Sequence, residues 1–231
     1  MTGTKEAVAV ASVTTETLSF YQTTLGKKVV MAVTGIILFG FVISHLIGNL
    51  QIFAGREQLN HYAVFLRTMP AVLWGARITL LVAVILHIVA SVQLAVLRNE
   101  ARPIGYVKKK NVGSSYASRT MMWSGPIVAA FIVYHLLHFT FGVVHPGFKE
   151  LQPYDNVVRG FQVPAVAIAY IVAMLLLGMH LYHGLWSMFQ TLGAAHPRYT
   201  PMLKRFAAVA TAFIVIGNIS IPIAVMTGFV S

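Results

Sequence analysis

The sequence contains no cysteine. That excludes disulfides, thiolate-ligated iron–sulfur clusters and thiolate-ligated haem within this chain. Charge is also scarce, at 10% of residues where a soluble domain carries roughly a quarter. Acidic residues number only 6, and the long apolar runs contain essentially none, which weakens ion or proton transport through buried carboxylates. A non-haem iron or di-iron centre would also want carboxylates among its ligands. Neither a phosphate-binding P-loop nor a dinucleotide glycine fingerprint is present, so no nucleotide site is expected.

Long uncharged stretches fill the space left by charge. Mean hydropathy is +0.75, which points to a polytopic membrane protein. A bilayer core needs about 20 apolar residues at about 1.5 Å rise each, and five segments qualify: residues 29–53, 70–97, 121–144, 163–189 and 206–230. The expected fold is therefore an all-α membrane protein forming one membrane domain over residues 1–231, with residues 1–28 as a lead-in. That lead-in holds only a short apolar run, AVAVASV, between Glu6 and Glu16, a poor secretory signal, and it reads as cytoplasmic and partly interfacial.

The excess of 17 Lys and Arg could suggest a nucleic-acid partner, but these residues lie in the connections between apolar runs, where membrane orientation explains them. The N-terminus and the second and fourth connections hold twelve of them, among them Lys27, Lys28, Arg98, Lys108, Lys109, Lys110, Arg119 and Arg205. The first and third connections and their flanks hold five: Arg56, Arg67, Arg77, Lys149 and Arg159. The asymmetry predicts a cytoplasmic N-terminus and an exported C-terminus.

Histidine is the chemically informative residue. Of nine, His45, His87, His135 with His138, and His180 with His183 lie inside the first four spans; His61, His145 and His196 lie in connections. A histidine inside an apolar span is costly and marks a site by default. His45 lies 17 residues after Lys28 on an outward-running helix, and His135 lies 14 residues into another, so both reach the outer half. His87 and His180 each lie 17 residues into inward-running helices, and share the inner half. Neutral imidazole is a strong axial ligand for iron, and a b-type haem takes one on each face. Four helices with two levels of paired imidazoles suit two stacked b haems, with the fifth helix outside that bundle.

Gly35, Gly40, Gly125, Gly178 and Gly184 would let a flat macrocycle approach the backbone. Lys27, Lys28, Arg119 and Ser124 are candidates for its propionates. Histidine can equally bond a neighbouring helix or water, and transmembrane glycines usually serve helix packing. His138 and His183, each three residues after the first histidine of its doublet, suit such a supporting role, although depth alone accepts either member of each doublet.

The motifs SHLIGNLQIFAG, ILHIVASVQLAV, RTMMWSGPIVAAFIVYHLLHFTFG and MHLYHGLWSMF surround His45, His87, His135 and His180. In order and spacing, over roughly residues 25 to 230, they resemble the dihaem cytochrome b membrane anchor of succinate:quinone oxidoreductases, in its single-chain, five-helix, cytochrome b558-type form. HGLWS is the most specific of them. The resemblance implies that His45 and His135 hold the outer haem and His87 and His180 the inner one, with His138 and His183 supporting. It further implies a flavoprotein subunit and an iron–sulfur subunit as cytoplasmic partners, a bacterial cytoplasmic membrane, and a quinone, commonly menaquinone, near the outer haem. Asn49, Gln51, Arg56, Glu57 and His61 are the quinone-site candidates. Some relatives carry a carboxylate further along that connection, whereas nothing acidic lies here between Glu57 and Arg77. The cytochrome b subunit of another quinone-linked dehydrogenase or reductase, and a haem-free transporter, are the competing readings.

Overall fold

The computed structural model describes residues 19–101, 104 and 116–231. The propionate candidates and all the histidines fall within these residues, whereas most of the N-terminal lead-in and the basic run Lys108, Lys109 and Lys110 lie outside them.

Seven α-helices make up the described chain: α1 (Thr24–Asn49), α2 (Arg56–Arg67), α3 (Pro70–Glu100), α4 (Tyr116–His135), α5 (Pro153–Phe161), α6 (Pro164–Thr191) and α7 (Thr200–Met226). A 3₁₀ turn, Leu50–Ala54, extends α1, and a π turn, Leu136–Thr140, extends α4. Five of these helices, α1, α3, α4, α6 and α7, are long and apolar enough to cross a membrane. Only 6% to 33% of each span's apolar window is buried, and Ile78, Val209 and Ile216 are well over half exposed. Apolar residues facing outward in every span require a lipid solvent rather than water.

The helix starts follow local chemistry. Proline occupies the first turn of α3, α5, α6 and α7, where its fixed φ suits the helix and no backbone donor is lost. Thr23 caps α1 by accepting from Gly26 N at 2.9 Å. Gly26 has to be glycine, because a Cβ there would lie 1.9 Å from the Phe20 carbonyl oxygen.

The expected spans correspond to these helices with ends shifted by up to six residues, the third among them. That span was expected to run to residue 144, but the helix closes at Thr140 and Gly142 turns the chain at φ 70°. There Phe148 packs so closely that a Cβ on Gly142 would lie 2.3 Å from its ring. Stretches 56–67 and 153–161, expected as connection, are the helices α2 and α5. Both are too short to span, and they pack against one another at the end of the bundle where α1 finishes. Arg56 pairs with Asp155 at 3.0 Å, Arg67 pairs with Glu150, and Asn60 Oδ1 accepts from Tyr154 N.

Along the bundle α1 packs on α3, α4 on α6, α1 on α6, and α7 on α6. Among the described residues, α1 and α4 make no extensive backbone contact, and neither do α3 and α6. The histidines meet across these two gaps.

Candidate histidine-paired site

His45 on α1 faces His135 on α4, with ring centroids 5.9 Å apart and planes nearly perpendicular at 87°. His87 on α3 faces His180 on α6 at 6.2 Å and 59°. Each pair spans helices whose backbones stay apart. Two imidazoles that each bond one metal at about 2 Å, with ring centres about 1.1 Å behind the bonding nitrogens, would sit about 6.2 Å apart. Both pairs have that spacing.

The levels are separated by helix rise. His87 lies against Gly35, since a Cβ there would sit 3.6 Å from its Cε1, and His45 comes ten residues later on α1. His180 lies against Gly125, 3.9 Å from the equivalent Cβ position, and His135 comes ten residues later on α4. Ten residues advance about 15 Å along a helix.

Among the described residues no group of three or more His, Asp or Glu could hold a metal ion. An ion bound between either pair would have those two histidines as its protein ligands. That donor set suits a metal whose remaining positions are filled by a macrocycle, and the spacing of both pairs fits a bis-imidazole b-type haem.

The environment of His87 defines its tautomer. Nδ1 lies 3.2 Å from the Met31 carbonyl oxygen and 3.2 Å from Thr34 Oγ1. A carbonyl can only accept, so Nδ1 donates and Nε2 is left with its lone pair. Phe41 and Phe131, each four residues before a histidine on its own helix, pack against the His45 and His135 rings.

The doublets are divided by the fold. At the end of α4 Phe141 N donates to Leu136 O, the fifth residue back rather than the fourth, which inserts a π turn directly after His135. His138 lies within that turn and is buried, 3.0 Å by Nδ1 from Tyr170 OH and stacked on His145 at 4.7 Å. His135 is the member that faces His45, and Tyr170 OH also reaches its Nδ1 at 3.4 Å. On α6, His180 faces His87, and His183 is half-buried in the following turn.

Tyr170, Thr34 and His145 were not singled out by sequence. Hydroxyls in apolar helices are common, and the proximity of Tyr170 to His138 spans 32 residues of chain. His145 donates through Nε2 to the Asn156 carbonyl at 2.7 Å, which ties the connection after α4 onto α5.

The glycines serve different ends. Gly35 and Gly125 flank histidines, and Gly40 and Gly184 border open space, but Gly178 packs on α7, where a Cβ would meet Val215 Cγ2 at 2.6 Å. Gly178 thus lets α6 and α7 approach.

The quinone-site candidates gather at the α2 end without converging. Glu57 and His61 lie exposed one turn apart on α2, and Asn49 is half-buried at the end of α1. Gln51 accepts from Gln58, and Arg56 is engaged by Asp155 and the Tyr154 ring. At the same end, Phe53, Leu175, Ile219, Ser220 and Phe229 line an apolar groove. Of the propionate candidates, Lys27 donates to the Tyr21 and Gln22 carbonyls, Arg119 lies 5.9 Å over the Tyr116 ring, Lys28 is exposed, and Ser124 is buried beside Gly125.

No protein-family model, curated protein or solved structure matches the chain.

Proposed function

We propose that this chain is the dihaem cytochrome b membrane anchor of a succinate:quinone oxidoreductase. The carrying observation is the facing pair of imidazoles at each of two levels, His45 with His135 and His87 with His180, across helices that make no extensive backbone contact among the described residues. Bound between these pairs, two b-type haems would supply one-electron transfer along the bundle.

The chain's own residues would perform the rest. Thr34 and the Met31 carbonyl hold the His87 ring with Nε2 free to ligate. Gly35 and Gly125, which lack a side chain, let the His87 and His180 rings lie close to the α1 and α4 backbones. A lipid setting around these apolar spans would keep bulk water from both levels. The charge asymmetry of the connections supports a cytoplasmic N-terminus, with the His87/His180 level nearer the cytoplasm.

In this reading a flavoprotein subunit oxidises succinate and an iron–sulfur subunit delivers electrons at the cytoplasmic face. A quinone, menaquinone in this reading, exchanges electrons and protons near the α2 end. There the apolar groove at Phe53 and Phe229 offers a wall, and Asn49, Glu57 and His61 offer polar groups. The host membrane would be a bacterial cytoplasmic membrane.

Purification of the full chain with a pyridine haemochrome assay tests the proposal. It requires about two haem b per chain, one per imidazole pair, and co-purification of a flavoprotein and an iron–sulfur protein. A colourless preparation would refute it and favour a haem-free membrane protein. Haem with other partner subunits would retain the cytochrome and reassign the enzyme.

A further inference from the structure

The two halves of the histidine bundle carry one repeated motif. TGIILFGFVISHL, Thr34 to Leu46, aligns without gaps on SGPIVAAFIVYHL, Ser124 to Leu136. Gly35 coincides with Gly125, as do Ile37 with Ile127, Phe41 with Phe131, and His45 with His135. The structure repeats with the sequence. Gly35 faces His87 as Gly125 faces His180, and the Phe41 and Phe131 rings lean on the histidines one turn later.

One contact is present in the first half and missing in the second. Thr34 Oγ1 donates to the Val30 carbonyl at 2.7 Å and lies 3.2 Å from His87 Nδ1, whose proton it accepts. The corresponding hydroxyl is Ser124, which is 1% exposed. Among the described residues its Oγ has no hydrogen-bond partner, and neither has the buried Nδ1 of His180. A buried hydroxyl and a buried ring nitrogen without partners are rare in folded proteins, and each group supplies what the other lacks.

We infer that Ser124 is the positioning residue for His180, its hydroxyl accepting from Nδ1–H as Thr34 accepts from His87. With its acceptor face so used, the hydroxyl proton goes to the Thr120 carbonyl, the counterpart of Val30 four residues back. The imidazole is then held as the Nδ1-protonated tautomer, and Nε2 carries the lone pair. Residue type alone suggested Ser124 for a haem carboxylate at the membrane interface; its place beside Gly125 gives it the ligand instead. This inference rests on the dihaem reading.

Ligand-orienting partners of this kind typically change metal affinity 10- to 100-fold. A donated Nδ1–H bond also makes the imidazole a stronger donor, which favours the oxidised metal. Full-length protein carrying Ser124→Ala, Ser124→Thr or Ser124→Cys would be compared with the parent by haemochrome stoichiometry, spectroelectrochemical titration and the rate of haem loss to an apo-globin acceptor.

The expected result is an upward shift in the midpoint potential of one haem in Ser124→Ala. That haem should also be lost faster by about tenfold. The affected haem is the one abolished by His87→Ala, Ser124→Thr restores the parental values, and Ser124→Cys falls between. Two haems in the parent with Ser124→Ala leaving both potentials unchanged would overturn the role of Ser124 alone. Equal shifts in both haems would overturn it too, since general loosening has no reason to choose one level. If Ser124→Ala does not accumulate, parental potentials in Ser124→Cys would overturn it in the same way. A parent without haem would overturn the dihaem reading and this inference together.

Discussion

Replacing Thr34 by valine removes one oxygen at nearly constant volume, beside a ring whose hydrogen bonding is explicit. His87 Nδ1 has two acceptors at 3.2 Å, the Thr34 hydroxyl and the Met31 carbonyl. Thr34→Val removes the first and leaves the second, so the ring keeps its tautomer and no buried donor is orphaned. The Val30 carbonyl that loses the hydroxyl proton still accepts within the α1 ladder. What remains is the loss of one shared, neutral hydrogen bond, about 1 kcal/mol or about fivefold in an equilibrium constant. The expected outcome is a protein with two haems, of which the His87/His180 haem is lost to apo-globin about fivefold faster. The His45/His135 haem should be unaffected, because it lies about 15 Å away along the bundle. Visible spectra recorded during haem transfer measure both. An unchanged transfer rate, or a change confined to the other haem, would refute the assignment of Nδ1 as the anchored nitrogen and Nε2 as the ligand.

The remaining predictions concern the ligand set and the packing that supports it. Replacing His87 or His180 by alanine should abolish one and the same haem signal, and replacing His45 or His135 the other; His138→Gln and His183→Gln should retain both, read by haemochrome and reduced-minus-oxidised spectra. Gly178→Ala should destabilise the protein by about 1–3 kcal/mol through overpacking, because the new methyl lies 2.6 Å from Val215 Cγ2. Val215→Ala in the same chain should recover most of that loss in a thermal melt followed in detergent.

Much of the architecture is legible before any folding is considered, because lipid imposes it locally. An apolar run of spanning length must be helical to satisfy its own backbone, so the five spans follow from composition. Alternation of direction then places His45 with His135 and His87 with His180, since depth in an up-and-down bundle is residue count times rise. Those same pairs face each other in the structure. The short helices α2 and α5 escape this logic. They are polar enough to pass for connections, and their helicity is stabilised by packing on each other and by the Arg56–Asp155 pair between residues far apart in the chain.

The tertiary structure also decides what helical spacing leaves degenerate. His135 and His138 share a face by count, and only the π turn that holds His138, with Tyr170 OH at its Nδ1 and His145 stacked on its ring, separates their surroundings. Gly35 and Gly178 are equivalent as letters, yet one faces a histidine and the other lets α7 approach. The Thr34 and Ser124 repeat was in the sequence throughout, but two hydroxyls and two glycines are weak signals without their neighbours. Sequence by itself determined which side chains could reach each level of the bundle, because helix rise and lipid length are local. Which of them meet, and which atoms are left seeking partners, was decided only by the packing of helices distant in the chain.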